Sequence, residues 1–422
     1  MTQNAAASLS DNPASAAQET PLPAVRVPML DHEQQLVAYE LLLQPGGIDD
    51  DAAMHRLVST IIDGSINQLT RGNQVFIRLP RDLLIHQAEF IRRQSHVGLV
   101  VHADDADDEA LLECLEQLAQ RGCALLFDLG GQLPPKSSDM PAERLLAIAQ
   151  FARIDIRKMD PATLGEQCRQ LHGCNLKVVA GHVDDHAAYH HCTELPFAAF
   201  QGRYLLLPEK VDVPVLSANR LSVLRLLRAL QEEKAGPVEL GQIIRDDALL
   251  SYKLLGCVNS AYFALPCRIK SVEQAAIFFG MSRMRNWIAT LTLSGMSDRP
   301  PELLRAALIR AQMCEQLAQG MPQAQREMAF TVGLFSLLDS LMCVPMDFVL
   351  KQLPLDPEIS EALLERSGPF AALLQQVLRW ETGDMRAGKD VQSQQIRRMA
   401  TAYLNAARWA DHVYTFAEQQ TV

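Results

Sequence analysis

The sequence lacks several signatures that would settle its class at once, and each absence excludes something. No apolar run approaches the roughly 18 to 20 uncharged residues of a membrane-spanning helix, and the N-terminus has no basic start followed by an apolar segment. Neither membrane insertion nor export is expected. CxxC pairs are absent, and the nine cysteines are scattered and odd in number, which argues against a disulfide framework and for reduced thiols in a cytoplasmic protein. Positive charge is in deficit: 39 Lys and Arg stand against 50 Asp and Glu, for a net charge of -11 and a pI near 5.5. That balance excludes a broad attraction to nucleic-acid backbones or anionic membranes and leaves room only for local basic patches.

What is present is ordinary for globular protein: 48% hydrophobic and 21% charged residues. A length of 422 residues exceeds one core and implies two or three domains. Residues 1 to 24, rich in Ala, Ser, Gln and Pro, read as a flexible leader, with order expected from Val25. VRVPMLD and LVAYELLL flank the polar DHEQQ in the pattern of a hairpin. An amphipathic helix is predicted near Ala52 to Thr70, followed by the strand QVFIRLP. Short apolar strands then alternate with helices: VGLVVHA, CALLFDLG, FARIDI, LKVVAG and a last strand around Phe200 to Leu206. Such a series of βαβ units predicts a barrel of the TIM type. Its span of about 185 residues falls below the usual minimum of about 200, so some helices or loops should be trimmed. From Asn219 onward the apolar periodicity is almost wholly helical, with Pro and Gly punctuation. The fold class is therefore α/β plus all-α, with a barrel over residues 25–210 and a helical domain over 211–422.

The ordered series of strand ends resembles the EAL family of metal-dependent cyclic-dinucleotide phosphodiesterases. Glu40, in YELLL, occupies the glutamate of the EAL signature, and Gln201, Gly202 and Pro208 match the family's last strand. Between them the sequence departs from the pattern. Arg78 stands where the family has an asparagine ligand, and His102 and Asp105 stand for two glutamates. Phe127 precedes Asp128 where the family has paired aspartates, and Arg153 and Asp155 stand for a lysine and an aspartate. Gly181 and His182 replace a glutamate and a glycine. The family's chemistry implies metal held by acidic oxygens, which a guanidinium or a phenyl ring cannot supply. A mouth in which Glu40, Asp128 and Asp155 pair with Arg78 and Arg153 is expected, with no cofactor and no phosphodiesterase activity.

IIRDDALLSYKLLGCVNSAYFALPCRIKSVEQAAIFFG resembles the core of the HDOD family, helical domains related to HD phosphohydrolases, on Asp247, Lys253 to Leu255, Asn259, Ser260, Ala261 and Gly280. Ala248 departs from the proline often found there. An HD hydrolase would need an adjacent His-Asp pair and further histidines for metal, whereas residues 219–422 contain only His412. Hydrolase activity is not expected of this domain. Asn259 and Ser260 read as a hydrogen-bonded helix end, and Tyr262, Phe263 and Trp287 as core. Together with the segment after Ala329, the whole resembles two-domain EAL-HDOD signal transduction proteins of the YuxH type.

Cys168, His172, Cys174, His182, His186, His190, His191 and Cys192 fall within 25 residues. His182, His186 and His190 have the spacing of one helical face, and two such imidazoles can chelate zinc. A solvated face is the preferred reading, because an intervening strand should separate the two ends. Function is read as non-enzymatic signalling or scaffolding through protein partners, with self-association left open. The alternatives are a catalytically inactive cyclic di-GMP receptor, not favoured, and a zinc-binding structural module.

Overall fold

The computed structural model describes residues 22–44, 51–62, 66–87, 91, 94–131, 141–209, 216–231, 236–245, 248–260, 268–296, 298–383 and 393–419. Most of the expected leader lies outside the described residues, as do Asp247, Ala261, Tyr262 and Phe263.

Eight strands close into a barrel in chain order: β1 (Ala24–Leu30), β2 (Leu36–Leu43), β3 (Val75–Ile77), β4 (Val97–His102), β5 (Leu125–Gly130), β6 (Phe151–Asp155), β7 (Lys177–Gly181) and β8 (Ala199–Gln201). The β1–β2 hairpin is antiparallel, with Val27 opposite Glu40, and β1 also meets β8 antiparallel through Leu30 and Phe200. Every other neighbouring pair is parallel. The strand that opens the barrel thus runs against the other seven. Trimming shows in β3 and β8, three residues each, and in the short turn Tyr204–Leu206 that follows β8. The single helix predicted over Ala52 to Thr70 is described as α1 (Asp51–Ile62) and α2 (Ile66–Thr70). A further helix, α3 (Arg81–Gln87), was not expected because only Leu83, Leu84 and Ile85 mark its apolar side. The remaining crossovers are α4 (Glu109–Gln120), α5 (Pro141–Ile148), α6 (Pro161–Gly173) and α7 (His186–Thr193).

Strand alternation sorts the side chains into two layers. Met29, Ala38, Phe76, Val100, Leu126, Phe151, Val179 and Ala199 form one closed cluster inside the barrel. Their neighbours, among them Tyr39, Ile77, Leu99, Phe127, Ile154 and Phe200, belong to the larger core outside it. Gly98 leaves the inner layer room for Phe76, whose ring would lie 2.8 Å from an added Cβ.

Among the described residues, those from Ala218 to Gln419 are mostly helical. Helices Pro301–Leu317 and Ser393–Gln419 press on the outer side of the β1–β2 hairpin, through contacts between charged groups that are almost wholly buried. Arg26 donates to both oxygens of Asp411 at 2.7 and 3.0 Å, and its backbone N–H donates to the Tyr403 hydroxyl at 3.0 Å. The Tyr39 hydroxyl donates to Glu302 at 2.9 Å while accepting from Arg71 at 2.9 Å. Arg71 and Arg305 each bond Glu302, at 3.1 and 3.0 Å. Burial pushes the Tyr39 hydroxyl pKa up, against the pull of Arg26, so it remains a donor. Gln44 adds a bond to the Trp380 carbonyl at 2.9 Å. None of Arg26, Arg71, Glu302, Arg305 or Asp411 was singled out in the sequence, because pairs so far apart in the chain leave no local pattern.

Candidate functional site

Moving two residues along each strand from the inner apolar layer brings the chain to the C-terminal mouth of the barrel. Ala38 leads to Glu40, Phe76 to Arg78, Val100 to His102, Leu126 to Asp128, Phe151 to Arg153, Val179 to Gly181 and Ala199 to Gln201. Period-two alternation therefore places all seven positions at one end of the barrel.

Arg153 stands at the centre. Its guanidinium holds Glu40 in a short contact, the Gln201 side-chain oxygen at 2.9 Å, and Asp128 at 2.5 and 3.2 Å. Gln201 in turn donates to Glu40 at 2.7 Å, and Asp128 accepts from the Gly130 N–H at 2.9 Å. Burial acts to lower the Arg153 pKa, but attraction to Glu40 and Asp128 wins and holds it above the ordinary value. Gly181 makes room for this arrangement, since an added Cβ would lie 3.0 Å from Arg153 Cγ and Cδ. Gly202 is required for a different reason: its Cβ would fall 2.0 Å from the Val183 carbonyl oxygen.

Asp155 lies one step further out and accepts from the Arg157 side chain at 3.0 Å through each oxygen. Its burial works to raise the pKa, yet Arg157 and His182 prevail and hold the carboxyl below its usual range. Lys158 Nζ and His182 Nε2 each stand 3.8 Å from the same carboxylate. These groups line a cavity of about 370 Å³ together with His102, Asp104, Asp128 and Arg153. Arg157 and Lys158 were missed in the sequence, although the RK pair directly after FARIDI marks a basic strand end.

Arg78 does not enter this cavity. It turns to Asp105, 3.5 Å away, in a separate recess of about 160 Å³, where Asp105 also accepts from the His102 N–H at 2.8 Å. The expected pairing of carboxylates with arginines is present with different partners: Arg153 takes Glu40 and Asp128, Arg78 takes Asp105, and Asp155 turns to Arg157. Phe127 points away from the mouth into the outer core, where it is fully buried.

The divalent metal implied by the family resemblance would have to displace Arg153, since Glu40 and Asp128 both direct oxygens at its guanidinium. Among the described residues, three groups able to ligate metal converge only at His186, His190 and Glu209, away from the mouth. His182 is not part of that set, since it faces Asp155. Cys168 and Cys192 are buried, and burial pushes their thiols up, to about 12 and about 11.

In the helical region, Lys253 is buried and Asp247 lies outside the described residues. Asn259 donates to the Leu255 and Ile269 carbonyls at 2.6 and 2.9 Å and accepts from the Ile269 N–H at 2.7 Å. It thereby closes the end of helix Ala248–Val258 against the chain ten residues later. Ser260 lies 3.5 Å from His412 on the C-terminal helix.

A closed barrel with one reversed strand, continued by a helical domain, defines an architecture that the sequence relationships specify further. The chain belongs to the family of two-domain proteins that join an EAL-type barrel to an HDOD domain. The HDOD domain family matches residues 218–351. Cyclic di-GMP phosphodiesterase CdgJ of Vibrio cholerae serotype O1 is 30% identical over 363 residues, covering 83% of this chain and 82% of the relative. The uncharacterized protein YuxH of Bacillus subtilis is 25% identical over 404 residues, covering 92% of this chain and 98% of the relative. The solved structure "PaMucR Phosphodiesterase, c-di-GMP complex" is 20% identical, with a TM-score of 0.36 over 45% of this chain and 92% of that one.

These relationships tie the chain to cyclic di-GMP signalling and overturn one expectation. Catalytic inactivity was expected from the missing family carboxylates, whereas a relative sharing 30% identity over most of the chain is named a phosphodiesterase. Part of the reason is visible in the strand register. Phe127 was counted as a lost ligand although its side chain faces away from the mouth, and Asp104, Asp128 and Asp155 still supply carboxylates to the cavity. No helix among the described residues is long and apolar enough to cross a membrane.

Proposed function

We propose that the chain is a cytoplasmic cyclic di-GMP signalling protein whose barrel mouth binds the dinucleotide through its phosphates and whose helical domain passes the ligand state to a protein partner. The observation that carries this reading is the rim of the mouth. Arg157, Lys158 and His182 are 53%, 61% and 52% exposed there, while the deeper Arg153 is taken up by Glu40 and Asp128. Arg157 gives Asp155 only part of its donor fork, and Lys158 presents a mobile ammonium, so both can reach phosphate oxygens. A cavity of about 370 Å³ lies within the range of small-ligand sites. The route to the helical domain is short. Glu40 faces the lumen and the adjacent Tyr39 bonds Glu302, so a shift of β2 at the mouth is felt at the domain interface.

Titration calorimetry with cyclic di-GMP tests the binding. Charge-assisted bonds contribute about 1.5–3 kcal/mol each, so replacing Arg157 and Lys158 together by Gln should weaken affinity by roughly 100-fold or more. An absence of heat at high micromolar ligand would refute the proposal. A second reading, hydrolysis of the bound dinucleotide, is favoured by the 30% identity to the Vibrio cholerae phosphodiesterase. Its test is linear product formed with added magnesium or manganese and lost in Glu40→Ala.

A further inference from the structure

Outside the barrel mouth, one cluster brings together groups that neither the family resemblance nor the proposed ligand site uses. Helix α7 begins after Asp185, whose side chain caps it by accepting from the Ala188 N–H at 2.7 Å. His186 and His190, four residues apart, leave one face of this helix with ring centroids 6.4 Å apart. After β8 the chain doubles back along that face. His186 Nε2 meets the Leu207 carbonyl at 2.9 Å, and His190 Nε2 meets Glu209 Oε1 at 3.1 Å. One ligating atom from each of His186, His190 and Glu209 lies within 4.8 Å of the other two.

We propose that His186, His190 and Glu209 form a divalent transition-metal site, best suited to zinc, that pins the segment leaving the barrel to helix α7. This inference rests on α7 and the returning segment alone and is independent of ligand binding at the mouth.

The chemistry of the three groups supports zinc. A carbonyl can only accept, so the His186 Nε2 carries the proton and its Nδ1 keeps the lone pair. A second-sphere bond of this kind to a backbone carbonyl usually sets the tautomer of a ligating histidine. The other pair, His190 and Glu209, meets in a hydrogen bond at 3.1 Å that a cation would replace. Two imidazoles with one carboxylate suit zinc and related ions, whereas calcium and magnesium prefer shells made of oxygen. Three protein ligands leave a fourth position for water.

The frame does not depend on the metal. Tyr189 of α7 stacks on Tyr204 with centroids 4.3 Å apart and planes within 6°, and Gln34 bonds both hydroxyls. The two ligating strands of chain are thus already in register, so little ordering is left to oppose cation binding. His190 and Glu209 are 62% and 43% exposed, so the site is open to solvent and its removal leaves the core untouched. Glu209 stands shortly before the first helix of the helical domain, Ala218–Gln231, so metal there would fix the point at which the chain departs from the barrel.

The test uses the full-length chain without an affinity tag, stripped with chelator and titrated with zinc sulfate by calorimetry, with metal content read after gel filtration. One zinc per chain is expected. Loss of an outer-sphere partner costs 10- to 100-fold in metal affinity, so removing a ligand in His190→Ala or Glu209→Gln should weaken binding by about 100-fold or more. Cobalt(II) should give the visible absorption of a low-coordinate site in the wild type and lose it in both variants. His172→Ala, which removes an exposed imidazole of α6 outside the cluster, should bind as the wild type does. No zinc retained by the wild type, or equal retention by His190→Ala and Glu209→Gln, would overturn the proposal.

Discussion

Replacing Arg153 by Met would remove the one cation that Glu40 and Asp128 share. The three side chains are only 13%, 8% and 14% exposed, so water cannot readily take the place of the guanidinium. Breaking a buried ion pair by deleting one partner costs about 3–5 kcal/mol, because the surviving charge is left without compensation. Here two carboxylates and the Gln201 oxygen lose their donor together, so the upper part of that range is expected. Urea unfolding followed by far-ultraviolet circular dichroism at pH 7.5 measures the cost. All three tryptophans, Trp287, Trp380 and Trp409, lie in the helical domain, so fluorescence in the same samples reports whether that domain unfolds with the barrel. Arg153→Lys keeps the charge but not the fork and should recover only part of the loss. A loss below about 1 kcal/mol at pH 7.5, where surface pairs fall, would refute the assignment of Arg153 as the keystone of the mouth.

Other consequences can be measured alongside. Asp411→Ala takes from Arg26 its carboxylate partner and leaves Arg71 and Arg305 on Glu302, with an expected cost of about 3–5 kcal/mol in urea unfolding, whereas the double change Arg26→Met with Asp411→Leu should restore most of it. Gly181→Ala places a methyl group against the Arg153 stem and should cost about 1–3 kcal/mol in the wild type but less when Arg153 is Ala, which lacks the contacting Cγ and Cδ. Asp155 is held below its usual pKa, so its contribution is present above the unfolded-state value of about 4 and is lost as pH falls through the folded-state value. The melting temperatures of wild type and Asp155→Asn should therefore differ at pH 7 and converge in acid.

The mouth residues were legible one strand at a time. Glu40, Asp128, Arg153 and Gln201 each follow by two positions an apolar residue that faces the lumen, Asp155 lies two positions beyond Arg153, and a period of two survives in a linear string. What the string did not carry was which acid meets which base. Arg78 and Arg153 are equivalent as letters, yet Arg78 turns to Asp105 and only Arg153 reaches Glu40, because β6 lies beside β5 and Gly181 opens space for its stem. Phe127 shows the opposite error, since a substitution beside Asp128 looked chemical until the register placed its ring outside the barrel. The His182, His186 and His190 spacing was likewise broken by the turn at His182, where a positive φ of 59° directs the chain away from the helical face.

By itself the sequence determined the two-part architecture, because hydrophobic period and turn punctuation are local properties and change character near residue 210. Only the tertiary structure decided how the parts meet. Asp411 lies 385 residues from Arg26, and Glu302 lies 263 residues from Tyr39. Buried pairs of that separation owe nothing to local propensity and exist only once the hairpin and the two long helices exclude water between them. The same holds for Glu209, which completes a cluster with His186 and His190 only because β8 returns the chain along α7.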